Sequence, residues 1–124
     1  MQLHHINIKA PADLLDEEKQ FFCEVLGLSE GSRPDFNSAG YWLYAGEDPI
    51  VHLSVSQNHF QTEGQGYFDH VAFQSSDLPA LIKRLSDAEI AYRDSFVEAC
   101  DMTQIFFNSP TGTGIEVNFV GESL

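Results

Sequence analysis

The sequence predicts an α+β fold: two βαβββ modules forming a curved mixed sheet with a polar concave face. Three observations carry that prediction. First, the chain repeats itself: Leu3-His4-His5-Ile6-Asn7-Ile8 resembles Phe68-Asp69-His70-Val71-Ala72-Phe73, and Pro49-Ile50-Val51-His52-Leu53 resembles Thr113-Gly114-Ile115-Glu116-Val117. The two matches share nearly one offset, 65 residues from His5 to His70 and 64 from His52 to Glu116, as a duplicated supersecondary unit requires. Second, each half runs through the same order of hydrophobic periods, namely strand, helix and three strands. Third, strand alternation puts His5, His52, His70 and Glu116 on the side opposite the aliphatic residues.

The elements follow in order. Residues 2–9 alternate, with Leu3, His5, Asn7 and Lys9 on one side and His4, Ile6 and Ile8 on the other, until Pro11 ends the strand. Asp13 or Asp16 is placed to cap the next helix, with Glu17 and Glu18 in its first turn. Leu15, Phe22, Val25 and Leu26 share its apolar face, and Gly27 closes it. Residues 29–38 are polar and turn-rich and hold at most a short edge strand. Gly40–Ala45 is an aromatic-rich strand, Gly46–Pro49 a turn, and Ile50–Ser56 the next strand. Gln57–Gly66 is polar with two glycines and reads as the connection between the halves.

The second half begins with a strand over Tyr67–Gln74. Ser76 or Asp77 caps a helix to about Ala88, whose core face is Leu78, Leu81, Ile82 and Leu85; Pro79 is tolerated in its first turn. Ile90–Phe96 and Met102–Asn108 are strands, Ser109–Gly112 turns the chain, and Gly114–Val120 is the last strand. The repeats thus cover about 1–57 and 66–121 of a single 1–124 domain.

With 124 residues, 43% hydrophobic content and ten Phe, the chain is long and apolar enough to bury a core. A formal net charge of −13, spread along the chain, repels nucleic acid and anionic membrane surfaces and excludes both as partners. No apolar run reaches the length of a membrane span. The chain opens directly into a strand pattern, without the charged and apolar regions of a signal peptide, so a reduced, cytoplasmic setting is expected. Cys23 and Cys100 form no metal-binding pair; Cys23 reads as a buried helix thiol, and Cys100 has no assigned role.

His5, His70 and Glu116 are candidate ligands of a divalent metal, with His52 as a fourth ligand, a general base or a substrate contact. Imidazole and carboxylate together suit Fe, Mn, Ni, Co or Zn. The absence of thiolate points to an open catalytic site rather than a structural zinc. A strand histidine alone is usually structural, and the repeat is what lifts these four above that reading. His59 in the connection and His4 on the aliphatic side are not expected to bind metal. Asn7 shares the His5 side of its strand, Trp42 and Tyr44 share parity in the third strand, and Phe106 and Asn108 share parity in the seventh; core packing is the competing reading for Trp42 and Phe106. Arg93, one of only six basic residues, either holds a substrate anion or sits on the surface.

At these residues the chain resembles the vicinal oxygen chelate superfamily, which includes glyoxalase I, fosfomycin-resistance transferases, extradiol dioxygenases, methylmalonyl-CoA epimerase and bleomycin-resistance proteins. The segments that carry the resemblance are Leu3–Ile8, Phe21-Phe22-Cys23-Glu24-Val25-Leu26-Gly27-Leu28, Phe68–Phe73, and Phe106–Glu116 with its Pro110-Thr111-Gly112 turn. The resemblance implies paired βαβββ modules around a metal cavity, commonly in a homodimer, with His5, His70 and Glu116 as ligands and Asn7, Trp42, Tyr44, Phe106 and Asn108 as the substrate pocket. His52 stands where glyoxalase I has a Glu and the epimerase tends to have Gln. The expected function is therefore a metal-dependent lyase, isomerase or ring-cleaving dioxygenase acting on a small substrate through vicinal oxygens. The alternative is a metal-free protein that sequesters a small molecule or antibiotic, as bleomycin-resistance proteins do.

Overall fold

A computed structural model describes residues 1–59, 64 and 66–124. The chain divides into two compact units, Met1–Glu63 and Gly64–Leu124. Part of the connection read at Gln57–Gly66 lies outside the described residues.

The first unit runs β1 (Ile6–Ala10), α1 (Ala12–Glu24), β2 (Ser29–Gly31), β3 (Gly40–Ala45) and β4 (Asp48–Val55). Its sheet has the order β1-β4-β3-β2, with β1 parallel to β4 and the other pairs antiparallel. The second unit runs β5 (His70–Gln74), α2 (Leu78–Asp87), β6 (Arg93–Val97), β7 (Met102–Asn108) and β8 (Gly114–Val120). Its order is β5-β8-β7-β6, again with one parallel pair, β5 with β8. Each unit is therefore βαβββ. As expected from sequence, the fold is α+β in two βαβββ modules, and the strands hydrogen-bond into two four-stranded mixed sheets, one per unit.

The repeat holds at the level of register. Asn7 pairs with His52 across β1 and β4 as Ala72 pairs with Glu116 across β5 and β8. Each unit thus sets its second candidate ligand on the strand parallel to the one that its first candidate begins or precedes.

Helix α1 buries Leu15, Phe21, Phe22 and Val25 and packs against β1, β3 and β4, where Leu43, Val51 and Leu53 are fully buried. Two expectations for α1 change. Pro11, with φ −56°, is the N-cap; its carbonyl accepts from Leu15 N, and neither Asp13 nor Asp16 caps the helix. Because the helix starts that early, Glu18 sits in its middle and is fully buried rather than lying in the first turn. Helix α2 does begin as expected: Asp77 Oδ1 accepts from Ala80 N at 3.2 Å, and Pro79 lies in the first turn where no N–H is needed. Glu122 adds a second cap, accepting from the backbone N–H groups of Asp77 and Leu78.

In the second sheet the alternation is clean. Thr103, Ile105 and Phe107 of β7, and Ile115, Val117 and Phe119 of β8, are buried on one face. Glu116 and Asn118 take the other face, with Gln104 and Phe106 beside them in register. Gly114 permits the close approach of β8 to β5, because a Cβ there would overlap the Asp69 carbonyl oxygen. Among the described residues, no helix is long and apolar enough to cross a membrane.

Candidate metal-site residues

In the first unit, His52 is buried at the centre of a ring stack. Its imidazole lies 3.8 Å from the His5 ring and 4.1 Å from the Trp42 ring, centroid to centroid, each at an interplanar angle of 12°. The register explains the second contact, since Trp42 of β3 pairs directly with His52 of β4. His5 precedes β1, and its Nδ1 lies 2.8 Å from His4 Nδ1. His4 is exposed rather than turned to the aliphatic side, because the ladder begins only at Ile6 and alternation does not govern the residues before it.

His52 Nε2 donates to the Pro49 carbonyl at 3.0 Å. A carbonyl only accepts, so Nε2 carries the proton and Nδ1 is the basic nitrogen of the neutral ring. Burial lowers the His52 pKa below its ordinary 6.5, and the neighbouring His5 lowers it further. The ring is therefore kept neutral and oriented. Asn7, opposite His52 in register, donates to Ser54 Oγ at 3.1 Å. Tyr44 follows a register shift after Leu43; its ring lies over Gly31 and its hydroxyl donates to the Ser32 carbonyl at 2.5 Å.

In the second unit, His70 and Glu116 meet directly. His70 Nε2 is 2.9 Å from Glu116 Oε2, and His70 Nδ1 is 2.7 Å from Asp69 Oδ2. The hydrogen bond to Asp69 raises the His70 pKa above 6.5; burial opposes it, and the charges of Glu116 and Asp69 add to the rise. Glu116 is only 7% exposed. Its other oxygen, Oε1, accepts from Gln104 Nε2 at 2.7 Å. Phe106 stands edge-on to His70 with centroids 6.3 Å apart. Asn118 Oδ1, on the Glu116 face, is buried without a hydrogen-bond partner among the described residues.

Sequence reading did not single out Gln104 and Asp69, which bond to Glu116 and His70, or the buried Asn118. The signals were present: Gln104 shares parity with Phe106, Asp69 adjoins His70, and Asn118 lies two residues beyond Glu116.

The donor chemistry fits a divalent metal. The imidazole of His70 and the carboxylate of Glu116, 2.9 Å apart, are donor types that would suit such an ion. Asp69 on His70 Nδ1 and Gln104 on Glu116 are outer partners of the kind that fix ligand orientation. Within each unit, among the described residues, no three His, Cys, Asp or Glu gather in metal-binding geometry.

No protein-family model matches the sequence, and no curated protein matches it. Solved structures do. A protein assigned to the glyoxalase family from Bacillus anthracis is 22% identical, with 97% of this chain and 95% of that chain covered and a TM-score of 0.74. A glyoxylase/bleomycin resistance protein/dioxygenase domain from Frankia sp. EAN1pec is 16% identical, with 97% and 98% covered and a TM-score of 0.77. The fosfomycin resistance protein FosX from Listeria monocytogenes, a mutant in complex with Mn(II) and 1S,2S-dihydroxypropylphosphonic acid, is 12% identical, with 96% and 92% covered and a TM-score of 0.73. With its two βαβββ units in matching register, this chain has a glyoxalase-like fold.

Proposed function

We propose that the protein is a metal-dependent enzyme whose substrate chelates a divalent ion through two vicinal oxygens, with lyase, isomerase or ring-cleaving dioxygenase chemistry. The observation that carries this reading is the His70–Glu116 pair, held at 2.9 Å with both residues oriented by outer partners. In this reading His5, His70 and Glu116 hold the ion, which is Fe, Mn, Ni, Co or Zn. When bound, such an ion supplies Lewis acidity toward substrate oxygens.

The chain's own residues do the rest. Asp69 and Gln104 keep His70 and Glu116 in place. His52, neutral near pH 7, accepts a proton at Nδ1 or serves as a fourth donor through that nitrogen, while Pro49 holds the opposite edge of the ring. Asn118 Oδ1 accepts a hydrogen bond from a substrate hydroxyl. Asn7, Trp42, Tyr44, Phe106 and Asn108 remain the proposed pocket residues. A homodimer of this chain in the cytoplasm completes the reading.

Cobalt(II) provides the test. Its visible absorption reports on the coordination shell, and catechol serves as a probe with two vicinal oxygens. The spectrum of the cobalt-loaded protein should change saturably with catechol. Catechol binding of equal strength to chelator-treated protein, with an unchanged cobalt spectrum, would instead establish a metal-free sequestering protein.

A further inference from the structure

The second unit contains a cleft of about 270 Å³ lined by Asp69, His70, Arg93, Phe106, Asn108 and Gly114 among others. Its one cation that is charged at every physiological pH is Arg93. The chain has six Lys and Arg against 19 Asp and Glu, so a basic side chain has many acidic partners to choose from. Lys19 pairs with Glu30 and Lys83 with Asp87. Arg93 pairs with no carboxylate among the described residues. Its guanidinium lies instead over the Phe106 ring, 4.1 Å from the centroid.

The backbone fixes that arrangement. Arg93 of β6 pairs with Phe106 of β7, and Phe106 pairs with Glu116 of β8. This cation–π contact places the guanidinium without using its N–H donors, which can then take a ligand. Asn108 donates one amide hydrogen weakly, to Gly112 O at 3.3 Å, and keeps the other. The carboxylate of Asp69, also in the lining, is engaged by His70 Nδ1. A chain of net charge −13 repels anions at long range, so an anionic ligand needs a local, directional donor of this kind.

We propose that Arg93, with Asn108, is an anion-binding subsite that holds a carboxylate, phosphonate or phosphate group of the substrate beside His70. This names the substrate as a small anion and rests on the enzymatic reading only for the word substrate. The cleft lies wholly within one unit and binds its anion with or without metal.

The test uses chelator-treated full-length protein, with inorganic phosphate and benzoate as probes at constant ionic strength. Nitrogen-15 NMR follows the Arg93 Nε–Hε signal, identified by its loss in Arg93→Gln, and, in the native chain and both variants alike, the backbone amide signals of β6 and β7. Saturable shifts are expected for at least one probe. Arg93→Gln should weaken binding about ten- to one-hundred-fold, the range for losing a charged hydrogen-bond partner. Arg93→Lys should recover only part, because it keeps the charge but loses the fork of donors. Arg93 is exposed, so both variants should fold, and metal content should equal that of the native chain. Equal anion binding by Arg93→Gln, or no saturable shift with either probe, would overturn the subsite. Loss of the metal reading alone would leave it standing.

Discussion

Replacing Gln104 by Leu isolates what a residue outside the proposed ligand set contributes. Gln104 Nε2 donates to Glu116 Oε1 at 2.7 Å, and Glu116 is 7% exposed. The substitution keeps the side-chain volume and strand preference but leaves one oxygen of a buried carboxylate without its donor. A hydrogen bond to a charged group contributes about 1.5–3 kcal/mol. In metal-free protein, at a urea slope of about 2 kcal/mol per molar, the midpoint should fall by about 1 M with no change in slope. Outer partners of metal ligands typically control 10- to 100-fold in affinity, so chelator competition should show a loss of about that size. The two readouts check each other. A stability loss with unchanged metal affinity would show that Glu116 is structural only. A midpoint within about 0.25 M of the native one, which is about 0.5 kcal/mol at that slope, would refute the account of Glu116 altogether.

Four further outcomes follow from the same geometry. In metal-free protein, His70 should titrate above 6.5 by NMR, and Asp69→Asn should move it back toward 6.5. A raised folded pKa stabilises fully below pH 6.5 and loses that effect as pH rises through the folded value, so the stability gap between native chain and Asp69→Asn should close on the alkaline side. His52, with its lowered pKa, acts in the opposite sense: its share of stability is lost as pH falls below 6.5, a dependence that His52→Gln should remove. Phe22→Ala, at a fully buried position of α1, should cost about 3–5 kcal/mol by urea unfolding; a loss under about 1 kcal/mol would contradict the packing of α1 on β3 and β4. Gly114→Ala should shift β8 against β5 and lower metal affinity, because its Cβ would meet the Asp69 carbonyl; native affinity and stability would show that the close approach is not required.

Three strands were legible in the sequence to the residue: Gly40–Ala45 from its aromatic content, and Met102–Asn108 and Gly114–Val120 from their alternation. Asp77 was legible as a cap because its side chain bonds within four residues of chain. What failed was set by partners distant in sequence. Strand β1 begins at Ile6 because pairing with β4 begins at Val51, and nothing local in Leu3-His4-His5 records that. Strand β6 likewise starts at Arg93, opposite Phe106, rather than at Ile90. The burial of Glu18 follows from Pro11 starting the helix early. Period-2 reading put His52 on the polar side but could not show its ring enclosed between His5 and Trp42, which requires β1 and β3 both to flank β4. Gln104 has the right parity, but its importance comes from meeting Glu116 across the ladder. Sequence repetition found the candidate ligands, and cross-strand register found what orients them.

The central claim is that His70 and Glu116 bind metal. Elemental mass spectrometry of protein purified without added metal or an affinity tag, run beside Glu116→Ala, tests it most directly. The account predicts one equivalent of Fe, Mn, Ni, Co or Zn per chain, lost in the variant. No metal in the native chain after incubation with each ion, or equal metal in both proteins, would contradict it.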